Sequence, residues 1–344
     1  MSEPTRRSAL GALAGAAGVL ATAGRSGRAH AAPPMEARPV AIRAVPIDRF
    51  SLRNPDLVRF GSLDFLGGIE LSCPDERFGG WSALAVSPDG SRLTSVSDKG
   101  TWLTATLVTR GDAPLGLTDA MLAPVIGPDG RPVAGTRRWD CESLAIQDGT
   151  TWIGLERVNE VLRFSIGKDG LAARGVPIPV PPDVKRFSAN RGLEALALVP
   201  SGPYAGSLIG VGERPFDGRD GPVSPGFFIT GPSGGFEIVR RDGFDITDAA
   251  FLPSGDLLLL ERRFAWLSGI AMRIRRFDGR ALRPGARLDG DTLVSADMAM
   301  HIDNMEGLCV HRAADGGTIL TLISDDNFNV LQRTLLLRFR LAGA

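Results

Sequence analysis

The chain has 344 residues, 43% of them hydrophobic and 23% charged, with Lys+Arg and Asp+Glu equal at 39 each. That composition supports a soluble globular core, and zero net charge argues against a nucleic-acid binder, which would carry a basic stripe. Gly 43 and Pro 24 punctuate short segments throughout, as in an all-β chain rather than a helical one.

In chain order, the first element is a targeting segment. "TRRSALGALAGAAGVLATAG" sets Arg6 and Arg7 ahead of a weakly hydrophobic stretch, and Ala29-His30-Ala31 supplies a small-residue cleavage site. The pattern is that of a twin-arginine export signal over 1–31; a general secretory signal or an uncleaved anchor are the alternatives. No later stretch reaches the ~18 consecutive apolar residues that span a bilayer. The mature chain is therefore expected in the periplasm or secreted, as a monomer without stable membrane insertion. Residues 32–59 read as an extension with a closing strand, and 60–344 as one domain.

From Ser82 onward a unit repeats at a spacing of roughly 50 to 60 residues. Its first strand starts at Ser82-Ala-Leu-Ala-Val, Glu142-Ser-Leu-Ala-Ile, Glu194-Ala-Leu-Ala-Leu, Asp248-Ala-Ala-Phe-Leu and Glu306-Gly-Leu-Cys-Val. Turn signals such as Pro88-Asp89-Gly90 and Asp148-Gly149 follow. A second apolar strand then ends acidic, in "SVSDKG" (Asp98), "IGLERV" (Glu156), "GVGERP" (Glu213), "LLLERR" (Glu261) and "LISDDN" (Asp325, Asp326). A third, alternating strand is clearest in "EVLRFSI", "AMRIRRFD" and "LLLRFRL". Antiparallel repeats of this kind predict a β-propeller with five recognisable blades. Residues 36–75 are expected to close the ring with an N-terminal strand, and they leave a sixth blade open.

The first strand's start and the second strand's end share one edge of a hairpin. The acids should therefore gather on one face of the disc: Glu142 near Glu156, Glu194 near Glu213, Asp248 near Glu261, Glu306 near Asp325. Converging carboxylates are costly to ionise together, and a hard cation with oxygen ligands offsets that cost. The expected ligands of Ca²⁺, or of another divalent cation, are Glu142, Glu194, Asp248, Asn304 and Glu306. Lys99, Arg157, Arg214 and Arg262 each follow a second-strand acid. They would clamp a small anionic or ester substrate, or else pair with Asp98, Glu156, Glu213, Glu261 and Asp326 as a structural rim. His301 and Asp325 are the candidate proton acceptors. The three cysteines, Cys73, Cys141 and Cys309, permit at most one disulfide and show no zinc-ligand spacing. Cys141, beside Glu142, is expected to be the more accessible thiol.

"CESLAI…WIGLER", "GLEALAL…GVGER", "DITDAAFLPSGDLLLLERRF" and "NMEGLCV…ISDDNF" resemble the "esterase-like activity of phytase" family of exported bacterial proteins. The resemblance runs from about Phe60 to Leu341 and implies a propeller whose Glu and Asp positions carry phosphoesterase-type activity. Glu306-Gly307 is also similar to the Glu-Gly-Pro blade start of gluconolactonase and regucalcin propellers, which bind a divalent metal in the channel; here Leu308 replaces the proline. Two functions are thus expected to compete: a metal-dependent hydrolase of phosphate or related esters, and a non-enzymatic propeller that binds a ligand or protein at the same face.

Overall fold

The computed structural model describes residues 36–266 and 269–343, so the expected export signal over 1–31 lies outside the described residues. Among the described residues no helix is long and apolar enough to cross a membrane.

Five sheets form, one from each repeat. Blade I holds Trp81–Val86, Arg92–Ser97, Thr101–Arg110 and Ala113–Pro124. Blade II holds Cys141–Gln147, Thr150–Leu155, Glu160–Phe164 and Val176–Ile178; blade III holds Leu193–Leu198, Leu208–Gly212, Val223–Phe228 and Gly235–Val239. Blade IV holds Asp245–Phe251, Leu257–Ala265, Gly269–Phe277 and Asp291–Asp297. Blade V takes Asn304–Arg312, Thr318–Asp325 and Thr334–Leu341 from the C-terminus. Its next strand is the N-terminal Leu63–Ser72, antiparallel to Thr334–Leu341, with Arg43–Ile47 outside it. The chain closes its ring in this way, and the last blade presents no free inner edge.

In blades I, II, IV and V a turn of two to five residues joins the first strand to the second. Asp148 and Gly149 both take positive φ, 48° and 73°, as a two-residue hairpin turn requires. The first strand of every blade packs on the first strand of the next, and that of blade V returns to blade I, so these five strands surround the axis. Their small residues (Ala83, Ala85, Ala145, Ala195, Ala197, Ala249, Gly307) let five backbones converge. The second strands lie between layers and are apolar on both sides; Leu257 to Leu260 are all 0% exposed. All three cysteines are free. Cys141 is fully buried and Cys73 is the partly exposed one, the reverse of what its place beside Glu142 suggests. The first strand begins with its bulk turned into the blade interface, which hides the thiol.

Candidate functional site at the channel mouth

Every inner strand carries one β-bulge, and always at the same place. Ser82, Glu142, Glu194, Thr247 and Glu306 are the residues left out of the ladder in blades I to V. A bulge leaves one residue unpaired and re-aims its side chain. The residue before each bulge pairs with Ser97, Leu155, Gly212, Glu261 and Ser324 on the second strand. The next position on that strand is therefore equivalent in all blades: Asp98, Glu156, Glu213, Arg262 and Asp325.

Blade IV breaks the expected pattern. Asp248 and Glu261 look like the repeat's acids, but the register places Thr247 and Arg262 at the equivalent positions. The Asp248 carboxylate instead accepts the N–H groups of Leu308, at 2.7 Å, and Ala249, at 2.8 Å, tying blade IV to blade V. Glu261 is 1% exposed and is held by Arg273 and Arg275. Both acids belong to the fold's own hydrogen bonding, and Asp248 stands outside the carboxylate groups that could share an ion.

Those groups come from blades II and III. Asp140, Glu142 and Glu156 offer oxygens within 4.8 Å of one another, and so do Glu156, Glu194 and Glu213, with Glu156 common to both. Burial and the surrounding carboxylates push Glu142 and Glu194 well above the usual carboxylate range. Burial lifts Glu156 to about 7, and Glu306 to about 8 despite the Arg262 charge beside it. Asp98 is raised to about 7 by burial and by Asp325, which burial itself brings to about 6. The Glu156 Oε1 accepts the Gly192 N–H at 2.7 Å. A Cβ at Gly192 would lie 3.1 Å from the Glu156 Cγ and 2.5 Å from the Asn159 Oδ1, so only glycine lets that carboxylate fold over.

The cations do not pair with the acids that precede them in sequence. Arg157 lies 3.7 Å from Asp140 and over the Trp139 ring, and Arg214 grips Asp245 with two nitrogens. Arg262 donates to the Asn304 Oδ1 at 2.6 Å and lies 2.9 Å from Glu306. Asn304 in turn donates to Glu306 at 2.8 Å, so its amide bridges two charged groups rather than standing free as a ligand. Glu213 is met by Arg191 at 3.3 Å. Lys99 sits 3.1 Å above the Phe328 ring. Asp326 accepts the N–H groups of Gly80 and Phe328, each at 3.0 Å, and the Thr334 hydroxyl, which clasps blade V to blade I.

His301 is not brought to the acids. Its backbone N–H bonds the Phe50 carbonyl, and the charges around its ring are Arg333, Arg49 and Glu70; burial and Arg333 hold the imidazole below its ordinary value. Asp325 does stand at the mouth, buried, with one oxygen accepting the Asn327 N–H at 2.6 Å. Beside it opens a cavity of ≈ 570 Å³ lined by Arg191, Arg214, Arg262 and Arg263, by the acids Glu213 and Asp245, and by the amides Asn304, Asn327, Asn329 and Gln332. Asp140, Arg191 and Asp245 were absent from the sequence expectation. The signal for Asp140 and Asp245 lay two residues before each bulge, where Gly80, Asp140, Gly192, Asp245 and Asn304 are equivalent, and Arg191 precedes that position in blade III.

The family described as "Esterase-like activity of phytase" (Phytase-like) matches residues 76–328. No curated protein matches the sequence. Among solved structures, a Thermus thermophilus protein assigned as an oxidoreductase (glucose dehydrogenase) is 16% identical, over 86% of this chain and 100% of that one, with a TM-score of 0.34. One assigned as a 6-phosphogluconolactonase, from Bacteroides uniformis, is 12% identical over 79% and 78%, at 0.35. The RRP9 WD40 repeats are 12% identical over 89% and 100%, at 0.37. Likenesses this loose carry no argument about the site.

Proposed function

The chain belongs to the esterase-like activity of phytase family, and from that membership we propose that it hydrolyses phosphate esters or related anionic esters with a divalent cation at the channel mouth. One observation carries the reading: the two carboxylate triplets and the arginine-lined cavity adjoin, with Glu213 common to a triplet and the cavity wall. A cation-binding arc thus lies against an anion-binding pocket.

The donors fit a hard ion. Asp140, Glu142, Glu156, Glu194 and Glu213 are all oxygen ligands, the set that suits Ca²⁺. The largest charges acting on Glu142 and Glu194 are other acids, with Arg262 offsetting part of the repulsion at Glu194, so a bound cation relieves the remainder. When bound, such an ion supplies Lewis acidity and a more acidic water.

The chain's own residues supply the remainder. Arg262 carries the one positive charge at the equivalent position of the five blades, and Arg191, Arg214 and Arg263 join it in the cavity to receive the anionic group. Asp325, with one oxygen fixed by the Asn327 N–H, holds the other for a proton, and with its pKa at about 6 it is ionised at neutral pH. The test is release of inorganic phosphate from a phosphate monoester by the purified mature chain, in calcium and after chelation. Calcium-dependent release that Asp325→Asn reduces is expected. Absence of release in either condition would end the hydrolase reading.

A further inference from the structure

The hairpin of blade IV reaches beyond the mouth, as no other second strand does among the described residues. The second strands of blades I, II, III and V end at Ser97, Leu155, Gly212 and Asp325, at or just before the position equivalent to Arg262. In blade IV the strand continues through Arg263 and Phe264 to Ala265, still paired with Gly269–Phe277. Three further residues at ~3.3 Å each carry it ~10 Å past the rim.

The arm's base is fixed. Arg263 stacks over the Phe244 ring, 4.8 Å from its centre, and donates to the Asp242 carbonyl at 3.2 Å. In its far part Ile270 packs on the core of blades IV and V, whereas Phe264 and Trp266 face solvent. Phe264 lies directly opposite Ile270 across the hairpin, and both line the arginine-rich cavity. Phe264 is 68% exposed and Trp266, next on the arm, is 90% exposed. The facing wall is the 326–333 loop, which lends Asn327, Asn329 and Gln332 to the cavity and exposes Val330 and Leu331 almost completely. The cavity wall therefore joins arginines, beside Glu213 and Asp245, to the apolar groups Phe264 and Ile270.

We infer that this arm binds an apolar portion of the ester, so that the substrate class is an amphiphilic anionic ester rather than a wholly polar one. The inference rests on the proposed hydrolase reading for the word "ester", but the recognition itself does not need turnover. The lining arginines take the anionic head by charge-assisted hydrogen bonds. Phe264 and Ile270 then remove methylenes of the alcohol part from water.

Two non-hydrolysable probes with the same anionic head separate the parts: methylphosphonate and hexylphosphonate, titrated calorimetrically against the mature chain in calcium. Hexylphosphonate should bind at least about tenfold tighter, which the burial of two methylenes supplies. In Phe264→Ser/Trp266→Ser that ratio should fall towards one. Both side chains are exposed, so the variant should fold, and the wild-type ratio tests the idea without it. Equal affinities in the wild type, no binding of either probe, or a ratio unchanged in the variant would each overturn the inference. Hexyl phosphate and glycerol phosphate, assayed for phosphate release, then tell the two readings apart. Selective binding without release of phosphate leaves the arm's role standing and removes the hydrolase; release at equal kcat/KM from both esters does the opposite.

Discussion

Glu194→Gln is the most informative single change, because Glu194 is 8% exposed and the largest charges acting on it are four other carboxylates: Glu156, Glu142, Glu213 and Glu306. In chelator the substitution removes like-charge repulsion, so the variant should melt at or above the wild-type temperature. In calcium the wild type should gain ~2.7 kcal/mol at a hundredfold excess of ion over the dissociation constant. The compact unit Pro34–Ala344 unfolds with an entropy of ~0.65 kcal/mol/K, taking ~2.1 cal/mol/K per residue. The calcium shift in melting temperature should thus be ~4 °C for the wild type, and most of it should vanish in the variant. Protons compete for the same oxygens. With Glu156 at about 7, the wild-type shift should shrink as pH is lowered from 8 to 5. Differential scanning fluorimetry of both proteins, in calcium and in chelator, at both pH values, reads all three effects. A wild type that melts identically with and without calcium, or a variant that keeps the full shift, would rule out a cation shared through Glu194.

The raised carboxylates also set a pH dependence for the metal-free protein. Asp325 at about 6, Asp98 and Glu156 at about 7 and Glu306 at about 8 bind protons more tightly folded than unfolded. The contribution of these four groups in chelator should therefore be full below the unfolded carboxylate range near ~4 and be lost as pH rises towards 8, whereas Asp75 and Asp89, lowered to about 2, lose theirs only as pH falls below that range; a melting temperature that rises from pH ~5 to ~8 would contradict it. Glu261→Gln should destabilise by about 3 kcal/mol or more in calcium and chelator alike, since Arg273 and Arg275 lose a buried partner, and paired melting curves check this. Arg262→Met should lower kcat/KM for an anionic ester on the order of a hundredfold while the calcium shift survives; loss of the shift instead would make Arg262 part of the cation site. Arg6→Lys with Arg7→Lys should stop accumulation outside the cytoplasm, measured by fractionation; normal export of the double variant would point to the general secretory route.

The architecture was legible in the order of residues alone. Five apolar two-strand units with turn signals at matching offsets can bury their faces only against one another, and the ring follows from that. The same pattern disclosed that acids recur where strands enter and leave, because a glutamate at the head of a small-residue strand has no core role. Register belongs to the folded ring. A strand's side chains alternate with period two, so one residue of slip exchanges what faces the mouth for what faces the sheet. In "LLLERR" an acid and an arginine stand side by side, and chemical likeness to "GLERV" selects Glu261, whereas the ladder selects Arg262. The same slip exchanges Asp248 for Thr247, and it turns a uniform belt of acids into a carboxylate arc facing one cation. Partner choice was equally out of reach of the sequence. Arg214 pairs with Asp245 and Arg262 with Glu306, each across a blade boundary and 31 and 44 residues away, because blades converge on the axis and bring the ends of neighbouring hairpins closer than residues adjacent in the chain.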